Sequence, residues 1–337
     1  MEYVYGEILT SNGLQKGYLG FEKNKIVETG SSLPPKKPIC KGLIVPTFVN
    51  MHTHIGDSFI KKKNLELPRN VRKLVEPPNG LKHKLLKSAS KKEILDGMKG
   101  SIHEMIQSGT SVFCDFREGG IEGIDFLTTA LKNSKISSFI LSRPKNLVYY
   151  HDEIDILLEK SPGVGLSSIS DWEYSEIQKI AKHTKKKGKI FAIHASERVR
   201  ENIDLILDLK PDFLIHMIKA EESDLIRVKE NNIPVVLCPR SNAFYGLKSD
   251  IKMMKHIGVN ILFGTDNAML NSCDIVDEIN YIKNNFKEFT ISELISMVTY
   301  VPRKALNLNC SILCPSSPAS FVVLDEKDLK TLYISYR

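Results

Sequence analysis

The sequence predicts an α/β protein in which eight parallel strands alternate with helices and close into a (β/α)₈ barrel, also called a TIM barrel. From residue 43 onward, short apolar runs rich in β-branched residues alternate with longer amphipathic runs, which indicates a parallel sheet covered by helices. There are eight such apolar runs, and eight strands close a barrel of this kind. An open, doubly wound sheet is the alternative. It would have a glycine-rich phosphate loop after its first strand, where this chain has Asn50-Met51-His52-Thr53-His54.

The elements of the barrel follow in chain order. The predicted strands cover residues 43–49, 111–116, 138–141, 164–167, 190–194, 213–216, 234–238 and 260–265. The clearest helix opens at Ser90, with Glu93 at capping-box spacing, and stops at Gly109. Other helices are predicted over residues 173–183, 201–209, 221–230, 274–282 and 291–299, the last ending before Pro302.

The two ends of the chain depart from this alternation. Short β-like runs separated by turn residues cover 3–9, 17–22 and 25–29, and similar runs cover 320–324 and 331–334. We expect them to pair into a small β-sandwich built from residues 1–48 and 308–337, with the barrel spanning 49–307. The irregular stretch 61–87 follows the first barrel strand, so it is a candidate lid over the active site or a subunit interface.

Composition narrows the classes of function. The 337 residues are 42% apolar and 26% charged, and no apolar stretch is long enough for a membrane helix. A net charge of +7 is spread over scattered lysines, so we expect no nucleic-acid partner. The start of the chain lacks the pattern of a signal peptide, which predicts a cytoplasmic protein. The six cysteines lack paired metal-site spacing, and most of them are predicted to be small buried side chains. Assembly into a homo-oligomer stays open.

The strongest chemical signal is the pair His52 and His54. Residues two apart on a strand point to one face, so both imidazoles can reach one ion. Three further polar residues, His194, His216 and Asp266, each stand at the end of another predicted strand. Carboxyl ends of barrel strands meet at one mouth, where barrel enzymes carry out their chemistry. Imidazoles with one carboxylate suit zinc or ferrous iron with an open position for water.

Glu197 follows His194 by three residues. A hydrolase that expels an amine needs a proton donor, and a carboxyl group shielded from water can serve as one. A simple structural role at the start of the next helix is the competing interpretation.

Taken together, these motifs resemble the amidohydrolase superfamily. The resemblance is carried, in order, by Gly42-Leu43-Ile44-Val45-Pro46, His52-Thr53-His54, His194-Ala195-Ser196-Glu197, His216, Cys238-Pro239-Arg240-Ser241-Asn242 and Gly264-Thr265-Asp266-Asn267. Within it, the chain is most similar to the aminohydrolases and chlorohydrolases that act on heterocycles, such as cytosine, guanine and S-adenosylhomocysteine deaminases.

This resemblance implies one divalent metal held by His52, His54, His194 and Asp266. It implies that His216 orients the attacking water, that Asp266 takes the water's proton and that Glu197 passes a proton to a ring nitrogen. Two-metal relatives carry a lysine at the end of strand four, and the corresponding segment here, residues 164–168, has none. A single metal is therefore expected. The unrelated zinc deaminases, which combine an HxE motif with a PCxxC motif, are excluded, because the chain has no PCxxC motif.

The predicted reaction is hydrolytic deamination of a purine- or pyrimidine-like heterocycle or nucleoside. Hydrolysis of a cyclic amide, an imine or a carbon–halogen bond at the same site is the first alternative, and an inactive binding protein on this scaffold is the second. The residues predicted to contact the substrate all lie at or just past strand ends: Asp57, Arg117, Arg143, Arg240, Ser241 and Asn242. The arginines are suited to a substrate carboxylate or phosphate, although ion pairs with local acids such as Glu118 would also explain them.

Overall fold

The structure is a computed structural model that describes residues 1–309 and 312–335 of the chain. The strands are β1 (Glu2–Thr10), β2 (Gly13–Glu22), β3 (Lys25–Gly30), β4 (Cys40–Pro46), β5 (Phe48–His54), β6 (Thr110–Arg117), β7 (Ser137–Ser142), β8 (Gly163–Leu166), β9 (Ile190–Ala195), β10 (Phe213–His216), β11 (Val235–Leu237), β12 (Ile261–Phe263), β13 (Asp266–Asn267), β14 (Phe321–Leu324) and β15 (Thr331–Ile334).

Helices connect most of the strands. They are α1 (Val71–Val75), α2 (Leu81–Ser88), α3 (Lys91–Ser108), α4 (Gly120–Ala130), α5 (His151–Lys160), α6 (Tyr174–Lys186), α7 (Ile203–Asp208), α8 (Glu222–Glu230), α9 (Pro239–Phe244), α10 (Ile251–Ile257), α11 (Ile275–Asn285), α12 (Ile291–Ser296) and α13 (Tyr300–Ala305). Two 3-10 helices, Ile55–Lys63 and Ile169–Asp171, follow β5 and β8.

Nine strands form one parallel sheet that closes on itself. Its order is β12-β11-β10-β9-β8-β7-β6-β5-β13. The strands β12 and β13 are two residues apart on the same stretch of chain, and β13 pairs in parallel with β5. The last strand thereby returns to the first, so eight strand positions close a barrel. The predicted (β/α)₈ fold is confirmed.

Strands from both ends of the chain form a second sheet, as predicted. Its order is β15-β14-β4-β1-β2-β3, antiparallel except for the pair β1 and β4. An apolar cluster packs on one side of this sheet. In it the rings of Phe21 and Phe321 meet edge to face, with their centroids 5.2 Å apart. Gly6 and Gly42 are cross-strand partners, and a Cβ on Gly6 would lie 1.9 Å from the Gly42 carbonyl oxygen. Only glycine allows this approach of β1 to β4.

The chain divides into two compact units by its internal contacts. One comprises Met1–Val49, Met105–Ser111 and Asp274–Arg337, and the other comprises Asn50–Glu104 and Val112–Cys273. The predicted domain boundaries at 48/49 and 307/308 stay a prediction.

The first barrel strand was misplaced by the sequence pattern. Residues 43–49 were predicted to form it, but β4 ends at Pro46 within the terminal sheet and β5 starts at Phe48. Both strands are deeply buried, so hydrophobicity alone does not separate them. Proline has no N–H to donate to a ladder and ends β4.

Two other predictions need correction. The segment 61–87 was predicted to be irregular, but it contains α1 and most of α2. Pro302 was expected to lie beyond the last helix, but it lies in the first turn of α13, where its missing N–H leaves no intrahelical bond unmade. Cys114, Cys238 and Cys273 are buried, as expected, but Cys40 and Cys314 are only half-buried. Cys310 lies outside the described residues. Among the helices described, none combines the length and the apolar character needed to cross a membrane.

Candidate active site

Five polar side chains from four strand ends converge at one mouth of the barrel. His52 and His54 come from β5, His194 from β9, His216 from β10 and Asp266 from β13. His52 Nε2 lies 3.2 Å from both Asp266 Oδ1 and His194 Nε2, and His54 Nε2 lies 3.6 Å from Asp266 Oδ1. The possible ligand atoms form two groups that share His52. One group adds His194 and His216, the other adds His54 and Asp266, and within each group the ligand atoms lie within 4.8 Å of one another. The strand ends meet as the sequence pattern predicted.

Hydrogen bonds orient two of these imidazoles. His54 Nδ1 lies 3.0 Å from the carbonyl oxygen of Phe116, and His194 Nδ1 lies 2.7 Å from that of Leu166. A carbonyl oxygen only accepts hydrogen bonds, so each Nδ1 carries the ring proton and each Nε2 lone pair faces the cluster. This is the arrangement in which histidine binds metal ions. Three inward imidazole nitrogens and one carboxylate fit a single divalent ion.

Burial sets the charge of the cluster. It lowers the pKa values of His52, His194 and His216, and it lowers that of His54 to about 4. The imidazoles are therefore neutral at pH 7, the form that coordinates metals. Burial opposes ionisation of Asp266, but the hydrogen bond to His52 and the adjacent imidazoles hold its pKa well below the usual range. The site thus presents neutral nitrogens beside one carboxylate.

Two of the site residues have a strained backbone. His216 has φ 77° and Asp266 has φ 60°, in the left-handed region that costs energy for residues other than glycine. Gly264, two residues before Asp266, lies against β5. A Cβ there would be 2.6 Å from His52 Cβ. The last strand can approach His52 this closely only because residue 264 has no side chain.

Glu197 lies beside this cluster, two residues beyond the end of β9. Its Oε1 is 3.6 Å from His216 Nε2, and its side chain lines the same pocket as His54, His194 and Asp266. Burial and the nearby Asp266 carboxylate raise the pKa of Glu197 to about 8. A carboxyl group that is neutral at pH 7 can donate a proton.

A buried ion network beneath His54 was not predicted from the sequence. Lys82, near the start of α2, is 3% exposed, and its Nζ lies 2.5 Å from Glu118 Oε1. The same carboxylate oxygen lies 3.2 Å from His54 Nδ1. Lys82 also lines the catalytic pocket. Its only signal in the sequence was a lysine in a lysine-rich stretch, which is more typical of solvent-exposed chain.

Of the predicted substrate contacts, Arg143 lines the catalytic pocket. Arg117 instead binds Asp115 at 3.2 Å and Glu118 at 2.6 Å, the ion pairing that was the competing explanation. Arg240 donates to Ser272 Oγ at 3.1 Å. The structure therefore brings only one of the three arginines to the pocket wall beside the candidate metal ligands.

The remaining predicted contacts are buried around the cluster. Ser241 donates to Asp266 Oδ2 at 2.5 Å and so orients a candidate metal ligand. Asn242 donates to Ser249 at 3.4 Å. Asp57 accepts from the Met269 N–H at 2.9 Å, and burial raises its pKa well above the usual range. Substrate roles for these residues stay predictions.

The segment 61–87 forms part of the pocket wall. Val71, Val75 and Pro77 line the pocket. Arg198 joins this segment to the loop after β8 through ion pairs with Glu76 and, at 2.5 Å, with Asp171. Closure of the segment over a substrate, or its use as an interface, stays a prediction.

Comparisons with known proteins identify the family of this chain. The sequence profile described as "Amidohydrolase family" matches residues 43–335. An uncharacterized protein of Methanocaldococcus jannaschii is 35% identical over 331 residues, covering 91% of this chain and 84% of that protein. A 5-methylthioadenosine/S-adenosylhomocysteine deaminase of Caldicellulosiruptor saccharolyticus is 26% identical over 309 residues, covering 80% of this chain and 69% of that protein.

A solved structure shares the fold. This structure is an adenosine deaminase from Xanthomonas campestris with bound zinc, and it superposes on this chain with a TM-score of 0.74 at 15% identity. The match covers 99% of this chain and 92% of the deaminase chain. The matched profile spans most of the chain and includes every residue of the candidate site. The chain therefore belongs to the amidohydrolase family, and its deaminase relatives indicate a hydrolase that acts on carbon–nitrogen bonds other than peptide bonds.

Proposed function

We propose that this protein is a metal-dependent hydrolase that deaminates a purine- or pyrimidine-like heterocycle or its nucleoside and releases ammonia. One observation carries the proposal. Inward-facing neutral imidazoles and an ionised Asp266 converge at a pocket that also holds Glu197 in its neutral form. Such a site combines metal ligands with a proton donor, the two requirements for expelling an amine with water.

We assign His52, His54, His194 and Asp266 as ligands of one divalent ion, Zn²⁺ in preference to Fe²⁺. The donor set of three nitrogens and one oxygen supports zinc, as does the zinc in the Xanthomonas deaminase. When bound, such an ion acts as a Lewis acid and brings the pKa of a water molecule to about 7, which supplies a nucleophile at neutral pH.

The side chains around this position divide the proton transfers. Water adds to the ring carbon that bears the amino group, and Asp266 accepts a proton from it. Glu197 donates its proton to the neighbouring ring nitrogen. His216, 3.6 Å from Glu197, orients the attacking water. Asp266 then passes its proton to the amino group, which leaves as ammonia. The hydroxyl formed from water gives its proton to the Glu197 carboxylate, and a ring carbonyl remains.

The named relatives support this reaction class, because the Caldicellulosiruptor protein and the Xanthomonas protein are both deaminases of adenosine-like compounds. We infer that the partners of this chain are a small heterocyclic substrate and water, with no nucleic acid. A cytoplasmic location and a homo-oligomeric state stay predictions.

Ammonia release is the direct test. Metal-reconstituted protein is incubated with aminopurines, aminopyrimidines, pterins and their nucleosides, and the metal content of the same sample is measured. We expect ammonia from one ring system, at about one metal ion per chain as in other mononuclear sites. Full metal content without ammonia from any compound would contradict deamination and direct the search to cyclic amides and halogenated rings. Absence of metal binding would contradict the enzymatic proposal altogether.

A further inference from the structure

A second cavity adjoins the catalytic pocket. Its volume is about 710 Å³, against about 50 Å³ for the catalytic pocket. Pro77 and Arg143 line both cavities, so the two share a wall. Sites that enclose whole organic ligands usually measure about 300–1,000 Å³. The catalytic pocket is smaller than this range and the second cavity falls within it, so the parts of a substrate beyond its reacting ring have space there.

The floor of this cavity is apolar. It is built by Ile94 and Met98 of α3 and by Phe126 of α4. Ile94 and Met98 are at most 6% exposed, so they belong to the packed barrel and give the cavity a firm base. An apolar ligand body placed against this floor would be removed from water, which favours its binding.

The rim of the cavity is cationic. Lys87, Lys91 and Lys145 line it and are solvent-exposed, and none of their ammonium groups forms a salt bridge among residues 1–309 and 312–335. The backbone N–H of Lys145 donates to Glu153 Oε1 at 2.8 Å. The Lys91 ammonium instead lies 5.3 Å from the Phe126 ring centroid. Of the two acidic residues in the wall, Glu118 already pairs with Lys82 and Arg117, which leaves Glu122. The rim therefore carries excess positive charge above an apolar floor.

We propose that this cavity binds an organic anion, namely a substituent of the substrate with an apolar segment and an anionic end group. The inference rests on the proposed function, because it names the substrate class of the same enzyme. The reacting ring lies beside the metal ligands, and its substituent passes Pro77 and Arg143 into the second cavity. The apolar segment packs on Ile94, Met98 and Phe126, and the anionic group reaches the lysines of the rim. The preferred substrate is therefore a substituted, anionic heterocycle or nucleoside rather than a free base.

Binding is tested without any knowledge of the ring. The probe is 8-anilinonaphthalene-1-sulfonate, an apolar body with one sulfonate, titrated into the full chain while its fluorescence is recorded. We expect saturable binding, weakened about tenfold in the double variant Lys91→Glu/Lys145→Glu, because two attractive charges become repulsive. The matched control is Lys99→Glu, an exposed lysine of α3 that does not line the cavity, and it should bind the probe as the parent does.

A second variant tests the cavity independently, in case the double variant does not fold. Ala89→Trp places a large side chain into the cavity wall without changing charge, and it too should weaken binding of the probe. Thermal unfolding followed by circular dichroism shows that each variant is folded. Equal affinity of the parent, Lys91→Glu/Lys145→Glu and Ala89→Trp proteins would overturn the assignment of this cavity as the anion site.

Kinetics then test whether the bound anion belongs to the substrate. The value of kcat/KM is compared for one nucleoside and its 5′-phosphate in the parent, Lys91→Glu/Lys145→Glu and Lys99→Glu proteins. We expect the double variant to lose about tenfold on the phosphate alone. An equal loss on both compounds, or none, would overturn the substrate assignment. Absence of ammonia from every compound would instead contradict the proposed function, while the fluorescence titration still decides whether the cavity binds anions.

Discussion

At the scale of single residues, the proposed chemistry depends on two carboxyl groups in opposite states. Asp266 is ionised beside the histidines, whereas Glu197 is neutral a short distance away. Both are buried, so the difference comes from their partners. Asp266 accepts hydrogen bonds from Ser241 and Asn267, which favour its charged form. The Asp266 carboxylate lies near Glu197, and its negative charge disfavours the charged form of Glu197.

The first prediction concerns Glu197. Glu197→Gln keeps the size of the side chain but cannot release a proton, so turnover should fall by about 10²–10⁴-fold. Metal content should not change, because Glu197 is not among the proposed ligands. The measurements are ammonia release and metal analysis on the same preparation. Activity near that of the parent would contradict the proton-shuttle role.

The second prediction separates a ligand from the residue that orients it. Asp266→Ala should abolish metal binding and activity together. Ser241→Ala removes the 2.5 Å hydrogen bond to Asp266 Oδ2 and should weaken metal affinity about 10–100-fold, as loss of such an orienting partner typically does. Competition with a fluorescent chelator gives both affinities. If Asp266→Ala still binds one ion with parent affinity, Asp266 is not a ligand.

At the scale of elements, the site is assembled by close approach of strands. The third prediction tests this at Gly264, where a methyl group would collide with the Cβ and backbone of His52. Gly264→Ala should displace β5 or the strand end before Asp266 and reduce metal affinity. The matched control is Gly100→Ala within α3, where the added methyl meets nothing within 4 Å and should stabilise the helix by about 0.5–1 kcal/mol. Metal titration and thermal unfolding read out the two effects. Unchanged metal affinity in Gly264→Ala would show that the contact with His52 is unimportant.

The fourth prediction concerns the start of α3. The Glu93 carboxylate accepts hydrogen bonds from Lys63, at 2.8 Å, and from the backbone and hydroxyl of Ser90, and these bonds lower its pKa to about 2. A depressed folded-state pKa means that the stabilisation is complete above the ordinary value near 4.3 and is lost as the pH falls toward 2.

Glu93→Gln should therefore lower the Tm at pH 7, and the difference from the parent should narrow as the pH falls from about 4.5 toward 2 and Glu93 becomes protonated. Thermal unfolding at a series of pH values measures it. Glu326→Gln, an exposed glutamate in the loop after β14, is the control and should show no such trend. A difference that does not change with pH would mean that the charge of Glu93 does not contribute.

At the scale of the whole molecule, the candidate metal centre draws ligands from strands far apart in sequence. The pair β5 and β13 closes the barrel, so an ion bound by residues of both strands would stabilise the closed form. His52 Nε2 and His194 Nε2 lie 3.2 Å apart, close enough for one ion to bind both nitrogens.

The fifth prediction follows from this linkage. Chelation should lower the Tm, and added Zn²⁺ should restore it, because a ligand at 100 times its Kd stabilises the folded state by about 2.7 kcal/mol. Differential scanning calorimetry of the parent measures the shift. In Asp266→Ala the chelator should have no effect. Equal shifts in the parent and in this variant would place the stabilising ion elsewhere.

The sequence by itself determined which residues meet at the barrel mouth. Each of His54, His194, His216 and Asp266 stands at or next to the end of a strand, and carboxyl ends of parallel strands share one edge. Strand pattern and topology were therefore enough. Even the error at the first strand left His52 and His54 in place, because β5 runs on through them.

Tertiary structure alone decided how these side chains are partnered. Nothing in the sequence pattern around Lys82 separates it from the exposed lysines near it, yet Lys82 lies buried against Glu118. Arg117 is bound to Asp115 and Glu118 and does not line the catalytic pocket. Such pairings join residues from different elements and depend on distances of a few tenths of an ångström. Periodicity records which face a residue occupies, and it contains no information about which charge from another element will reach it.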